Sequence, residues 1–506
     1  MAGVAVAGAL ALMVTACQPS SGLPRPGPVP GPGRGRPVAD WARPNLDLGN
    51  TRDASHSTID SHDVAKLGVA WSATLSGSGT YGNASTNPIV VGGGIYLEDL
   101  SGHVRRFDAR TGALVWTSDQ SDAGRPMIGP NGVAVDGGRV FAVSGRGDIV
   151  ALDAGTGAVV WRSTVVGTAT LGIDIQPTTY RGLVYAATVP VSLNGVYHGG
   201  DAGELFALDE RTGATAWTFD TVQGDLWGDP ALNSGGGAWY PPAVDVHTGL
   251  VYWGTGNPAP FPGAPGFPSG SSRPGPDLYT SSTVALDART GKLAWYSQAT
   301  PHDLFDLDHQ LTLVVPSRRG DVVIGTGKDG WVYGLDPRTG RTRWKTSVGK
   351  HQNDTVRDVT QPITVFPGDF GGVETPPAAA DGVIYLPVLN EPTTYQPESF
   401  GLQGTIGTMD GEMVAVDVAT GRVRWDVKVP GDPLGGATVV GDLVFTALQD
   451  GRILALSRRD GSTVWSYQAS GVINAWPSVV GGTIYWPLGG AAPAQLLALA
   501  LPRSRT

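Results

Sequence analysis

A single cysteine, Cys17, stands in a chain of 506 residues. No disulfide can close within the chain, and neither a cysteine-based metal site nor a Cys-x-x-Cys-His haem attachment is available. Charge is also scarce: Asp, Glu, Lys and Arg make up 16% of the residues, with a net charge of −10. No basic run exceeds a few residues, so no electrostatic surface for nucleic acid is expected. Beyond residue 17 the chain has no run of the roughly 18 apolar residues that a membrane-spanning helix needs. What is abundant is glycine, 74 residues, with 39 prolines and 15 tryptophans. That balance favours short strands and many turns over helices.

The first residues read differently from the rest. Residues 4–14 are apolar and lead into Val14-Thr15-Ala16-Cys17. Small residues before a lone cysteine resemble a bacterial lipoprotein signal, which implies cleavage before Cys17 and lipidation of its thiol. No Lys or Arg precedes the apolar run, which departs from the usual positive start. A Pro/Gly-rich stretch follows to residue 37 and cannot pack a core. The expected organisation is a signal peptide over 1–16, a tether over 17–37 and one folded body over 38–502. The expected location is the extracytoplasmic side of the cell envelope, held to the membrane through the lipid anchor only.

Within the body one phrase recurs. VRRFDARTGALVW ends at Trp116, IVALDAGTGAVVW at Trp161 and LFALDERTGATAW at Trp217; further copies end at Trp295, Trp344 and Trp425, and a weaker one at Trp465. Each reads as strand, turn, strand, with Asp-x-x-Thr-Gly as the turn: Asp bonds the backbone ahead and Gly accepts a positive φ. Another apolar alternation lies upstream of each copy, giving about four strands per unit. The last unit, after Trp465, lacks a closing Trp, and the strand 64–71 ending at Trp71 can supply it. Joining the two ends closes the ring and removes free edges. The fold expected is all-β: an eight-bladed propeller of four-stranded antiparallel blades, closed by N- and C-terminal strands. The regular tryptophans are expected to pack blades. The units ending at Trp295 and Trp425 are about 30 residues longer than the others, and extra loops on a rigid propeller are natural places for a site.

Three stretches go beyond the repeat: residues 249–261 (GLVYWGTGNPAPF), 273–308 (RPGPDLYTSSTVALDARTGKLAWYSQATPHDLFDLD) and 434–451 (LGGATVVGDLVFTALQDG). With the opening Trp41…Asp47…Asn50-Thr51-Arg52, they resemble the pyrroloquinoline-quinone (PQQ) dependent alcohol dehydrogenases, from about Asp40 to the C-terminus. The resemblance implies oxidation of a small or polymeric alcohol to a carbonyl, with PQQ and a calcium or lanthanide ion as cofactors. Electrons would pass to a separate acceptor such as a cytochrome. Such chemistry needs a base for the hydroxyl proton and an electrophile for the hydride.

Asp306, in the acidic stretch His302-Asp303-Leu304-Phe305-Asp306, falls where the family has its catalytic base; a carboxylate in a partly dry site gains basicity. The amide oxygen of Asn257 and the carboxylates of Asp306 and Asp308 match ion ligands, and hard oxygens suit such an ion. The second Asp, Asp308, is similar to that of the lanthanide-using branch. Trp239 aligns with the ring beneath the flat cofactor. Lys328 matches the cation near the quinone oxygens, and Asn131 stands in place of the family's Arg. Other positions depart from the family. The loop that normally carries a Glu ion ligand is rebuilt, with His198 or Asp201 near that position. Gly371-Gly372-Val373-Glu374-Thr375 stands where many members have Asn-Trp, and the adjacent-cysteine disulfide of many members is impossible. A second reading is a non-catalytic propeller lipoprotein, serving as an envelope-assembly scaffold or a ligand-binding module.

Overall fold

The Asp-x-x-Thr-Gly phrase builds the same turn wherever it occurs. In the first copy Asp108 Oδ1 accepts the N–H groups of Arg110 (3.1 Å) and Thr111 (2.9 Å) and the Thr111 hydroxyl (2.7 Å). Gly112 then takes φ +71°. The Asp-to-Thr bond recurs at Asp153, Asp209, Asp287, Asp336 and Asp417. The glycine is required twice over. Its φ is positive, and a Cβ on Gly157 would stand 2.6 Å from the ring of Trp116 in the preceding unit. That ring also donates its Nε1–H to Ala154 O at 3.2 Å. The same latch joins Trp161 to Glu210 O, Trp217 to Ala288 O, Trp295 to Pro337 O, Trp344 to Val418 O and Trp425 to Arg458 O. The repeat tryptophans are thus blade-to-blade contacts, as their regularity suggests.

The computed structural model describes residues 39–76, 81–122, 129–145, 147–167, 170–191, 199–222, 225–398, 410–489 and 494–502. Cys17 and His198 lie outside them. Among the described residues eight sheets built on four antiparallel strands follow one another, over 89–119, 134–164, 178–220, 243–298, 311–347, 378–429, 438–468 and 478–500; the seventh gains a fifth strand, Asp53–Ala54, paired in parallel with Thr438–Val440. We number these blades 1 to 8. Blade 8 takes its outer strand from the N-terminal side: Gly68–Thr74 pairs antiparallel with Gln495–Ala500, Trp71 opposite Ala498. Trp71 then donates to Ala109 O of blade 1 and closes the ring. The closing strand begins later than the sequence suggests, because Val64–Lys66 forms a single 3-10 turn.

First strands of neighbouring blades touch and outer strands face solvent, so the first strands line the axis. Residues 40–54 run across these blades. Asn50 donates to Pro241 O (2.9 Å) and Thr312 O (3.1 Å), and Arg52, fully buried, reaches Ala437 O (2.7 Å), Thr438 Oγ1 (2.7 Å) and Pro477 O (2.8 Å). The two longest units hold additional two-stranded ribbons, Ser234–Gly235 with Pro258–Ala259 and Ile363–Val365 with Thr393–Tyr395. In a four-stranded meander, second-to-third turns and blade-to-blade connections emerge at the same end. Both ribbons, and the connections that carry Trp239, Asn257, Asp306 and Lys328, belong to that end.

Candidate active site

Four connections converge on one buried cluster. Trp239 enters blade 4, and Asn257 follows its second strand, Leu250–Gly254. Asp306 and Asp308 lie between blade 4 and the first strand of blade 5, Leu311–Val315. Lys328 sits on the turn between Val322–Thr326 and Trp331–Leu335. Its Nζ is 3.1 Å from Asp306 Oδ2 and 2.9 Å from Asp308 Oδ2. The other oxygen of Asp308 accepts the N–H of Asn257 at 2.5 Å. The ammonium is 5.2 Å from the centre of the Trp239 ring and 5.9 Å from that of Phe370. Asp306, Asp308 and Lys328 are all buried.

One ammonium cannot neutralise two carboxylates. Burial pushes Asp306 well above the ordinary carboxylate range, and Asp308, Asp369 and Asp303 push the same way against Lys328. Burial works against charge on Lys328, but Asp306, Asp308 and Glu374 outweigh it and hold its pKa well above normal. The two shifts fit together: the lysine keeps its charge, and Asp306 is the carboxylate ready to take a proton. Glu374 is raised to about 8 by burial, with Asp308 and Asp369 adding to it. Buried carboxylate oxygens without a partner surround the cluster: Glu374 Oε2, Asp369 Oδ2 and both oxygens of Glu391, with Asp201 Oδ2 beside the Asn257 ribbon.

Five of the six residues singled out for cofactor, metal and proton chemistry therefore come together: Trp239, Asn257, Asp306, Asp308 and Lys328. Asn131, the sixth, precedes the first strand of blade 2, Ala134–Asp136. It is fully buried on the approach to blade 2, where its Nδ2 donates to Ile173 O at 2.7 Å and its carbonyl accepts the Thr86 hydroxyl at 3.0 Å. Its Oδ1 is buried without a hydrogen-bond partner. Asp201 lies on the segment beside the Asn257 ribbon: its carbonyl accepts Gly235 N–H at 3.1 Å, and Gly236 N–H bonds Asn257 O at 3.0 Å.

Sequence reasoning missed Tyr81, Asp174, Asp369 and Phe370. Tyr81 stands edge-on to Phe370 at 6.5 Å and feels the charges of Lys328, Asp174, Glu374 and Asp306. These residues precede the first strands of blades 1, 3 and 6, the place in the repeat that Trp239 holds in blade 4. Repeat position was the signal that could have found them.

The profile of the PQQ "Glucose/ethanol/alcohol dehydrogenase, beta-propeller domain" matches residues 41–370. The chain belongs to this quinoprotein dehydrogenase family. A second profile, "Outer membrane protein assembly factor BamB", matches residues 393–498, which hold none of the clustered residues. The chain is 28% identical over 507 residues to a quinohemoprotein alcohol dehydrogenase of Comamonas testosteroni, covering 87% of this chain and 70% of that protein. It is 26% identical to the quinoprotein alcohol dehydrogenase PedH of Pseudomonas putida, covering 88% of this chain and 83% of that one. A solved europium-containing methanol dehydrogenase shares the fold, with a TM-score of 0.77, 20% identity and coverage of 92% and 98%. As a quinoprotein the chain is a PQQ-dependent oxidoreductase, and the family's cofactors are PQQ with calcium or a lanthanide.

The described residues fit both cofactors. Asp306, Asp308 and Asn257 offer hard oxygens, and the unpartnered carboxylate oxygens of Glu374 and Asp369 nearby are further acceptors that a cation would satisfy. Trp239 offers a broad ring and Lys328 a fixed positive charge beside it.

Proposed function

We propose that this quinoprotein oxidises an alcohol to a carbonyl at the Asp306–Lys328 cluster, with Asp306 taking the hydroxyl proton. The observation that carries this reading is the raised, buried Asp306 held 3.1 Å from a lysine beside an aromatic floor. When bound, PQQ supplies the two-electron acceptor and the ion a Lewis acid. Asn257, Asp306 and Asp308 would hold the ion. Trp239 would lie against the flat cofactor, and Lys328 would stabilise negative charge on its reduced form. Burial of Asp306 supplies the basicity, because a carboxylate out of water gives up its charge readily to a proton. A single cysteine leaves no covalent haem attachment in this chain, so electrons would go to a separate acceptor such as a cytochrome.

Export and lipid attachment at Cys17, with 17–37 as tether, belong to the same proposal and rest on the sequence. No helix among the described residues is long and apolar enough to cross a membrane. Intact-mass measurement of the membrane fraction would show the lipid on Cys17; a product retaining residues 1–16 would contradict it.

The activity is tested with the full chain loaded with PQQ and calcium or lanthanum, using a dye acceptor and a panel of primary alcohols. Dye reduction that needs PQQ, and that Asp306→Asn abolishes while PQQ still binds, supports the reading. Undiminished turnover in Asp306→Asn would remove Asp306 as the base.

A further inference from the structure

The loop that presents Asp306 is wound around a different carboxylate. Asp303 is fully buried. Its Oδ1 accepts the N–H of Phe305 at 2.9 Å, its Oδ2 the N–H of Leu307 at 2.7 Å, and the Ser281 hydroxyl lies 3.3 Å from Oδ2. Those two amides flank that of Asp306. With both neighbours bound to one side chain, the backbone has to turn between them, and Asp306 takes φ +57°. That left-handed conformation costs an L residue about 1 kcal/mol or more, and Asp is among the few that tolerate it.

The template is itself anchored. Arg273, fully buried, donates from Nη2 to the carbonyl of Asp303 at 2.6 Å and to Pro260 O at 3.1 Å, and pairs with the buried Asp277. The apolar members of the loop point the other way. Leu304, Phe305 and Leu307 pack with Phe261, Val365 and Tyr395. The Tyr395 hydroxyl donates to Phe305 O at 2.6 Å, and its ring lies 5.1 Å from that of Phe305. Asp306 is the member turned toward Lys328.

We propose that Asp303 is a positioning residue for Asp306 and Asp308: Arg273 holds its main-chain carbonyl, and its carboxylate fixes the peptide groups on either side of Asp306 and aims both acids at the cation site. This rests on Asp306 and Asp308 being the acids of that site. Asparagine at 303 is isosteric but carries an acceptor on one side only. Its amide nitrogen would face one of the two N–H groups, and the loop would open on that side.

The test uses the cofactor-free full chain titrated with terbium(III), read by tryptophan-sensitised luminescence, for wild type, Asp303→Asn, Asp303→Glu and Asp306→Asn. The expected result is at least tenfold weaker terbium binding in Asp303→Asn with an unchanged circular dichroism spectrum, and partial recovery in Asp303→Glu, which restores both acceptors. Asp306→Asn is expected to weaken terbium as well. Terbium affinity in Asp303→Asn within twofold of wild type, while Asp306→Asn loses binding, overturns the positioning role and leaves the site reading standing. Unchanged binding in Asp306→Asn overturns the site reading, and the positioning role with it. Residue-resolved hydrogen exchange on the wild type needs no variant to fold: the amides of Phe305 and Leu307 should exchange far more slowly than that of Asp306. Equal, fast exchange of all three contradicts the proposal.

Discussion

Lys328 lies between Asp306 and Asp308, with its ammonium 3.1 Å from one carboxylate and 2.9 Å from the other, over the ring of Trp239. A single positive charge serves two buried acids, and each expectation for this site turns on that imbalance.

Lys328→Met removes the ammonium and leaves two buried carboxylates facing each other. Breaking a buried pair of this kind costs about 3 kcal/mol or more. The cofactor-free variant should melt well below wild type, and calcium or lanthanum should raise its melting temperature more than that of wild type. Equal metal-induced shifts in the two proteins would mean that the ion does not meet these acids.

Stability should fall as pH rises from about 4.5 to 8 in the cofactor-free chain. The sign follows from Glu374, whose pKa goes from 4.5 to about 8 on folding, chiefly through burial. A folded state that holds its proton more tightly is favoured most below the unfolded pKa, and that advantage is gone above the folded one. Glu391, also raised to about 8 by burial and by Asp369 and Glu374, contributes the same slope. Denaturation midpoints at pH 5 and pH 8.5 should differ less in Glu374→Gln than in wild type. An identical pH dependence in the two would show that Glu374 is not buried as described.

Gly291 probes the blade latch. It has φ +69°, and a Cβ there would meet the Trp217 ring at 2.6 Å. Gly291→Ala should destabilise by about 1–3 kcal/mol, and Trp217→Ala by about 3–5 kcal/mol. Guanidinium melts of the two variants check this. A neutral Gly291→Ala would mean that the ring can move aside freely.

Much of this was legible in the sequence because a repeat states its own geometry. The Asp-x-x-Thr-Gly turn and the Trp at its end specify a hairpin and its latch onto the next blade, and the missing eighth Trp pointed to Trp71. The acids of residues 302–308 were legible as a cluster, since like charges rarely crowd one short loop without a task. Two kinds of information were not legible. Asn131 was assigned by its place in the family pattern; its Nδ2 is taken by Ile173 O on the next connection, while its Oδ1 is buried without a partner. Tyr81, Asp174 and Asp369 belong to no motif; only their place before a blade's first strand marks them, and they meet the site because a closed ring brings together connections far apart in sequence. The role of Asp303 was hidden as well, because only the folded loop shows that its carboxylate faces two amides of its own chain.

A cation-dependent quinone site on Trp239 is tested by titrating the folded chain from about residue 38 onward with PQQ and following tryptophan fluorescence. The titration is run with calcium, with lanthanum and with neither. Saturable quenching is expected that requires the metal and is lost in Trp239→Ala and Asn257→Ala. Quenching that is absent under every metal condition, or that survives both substitutions, would contradict it.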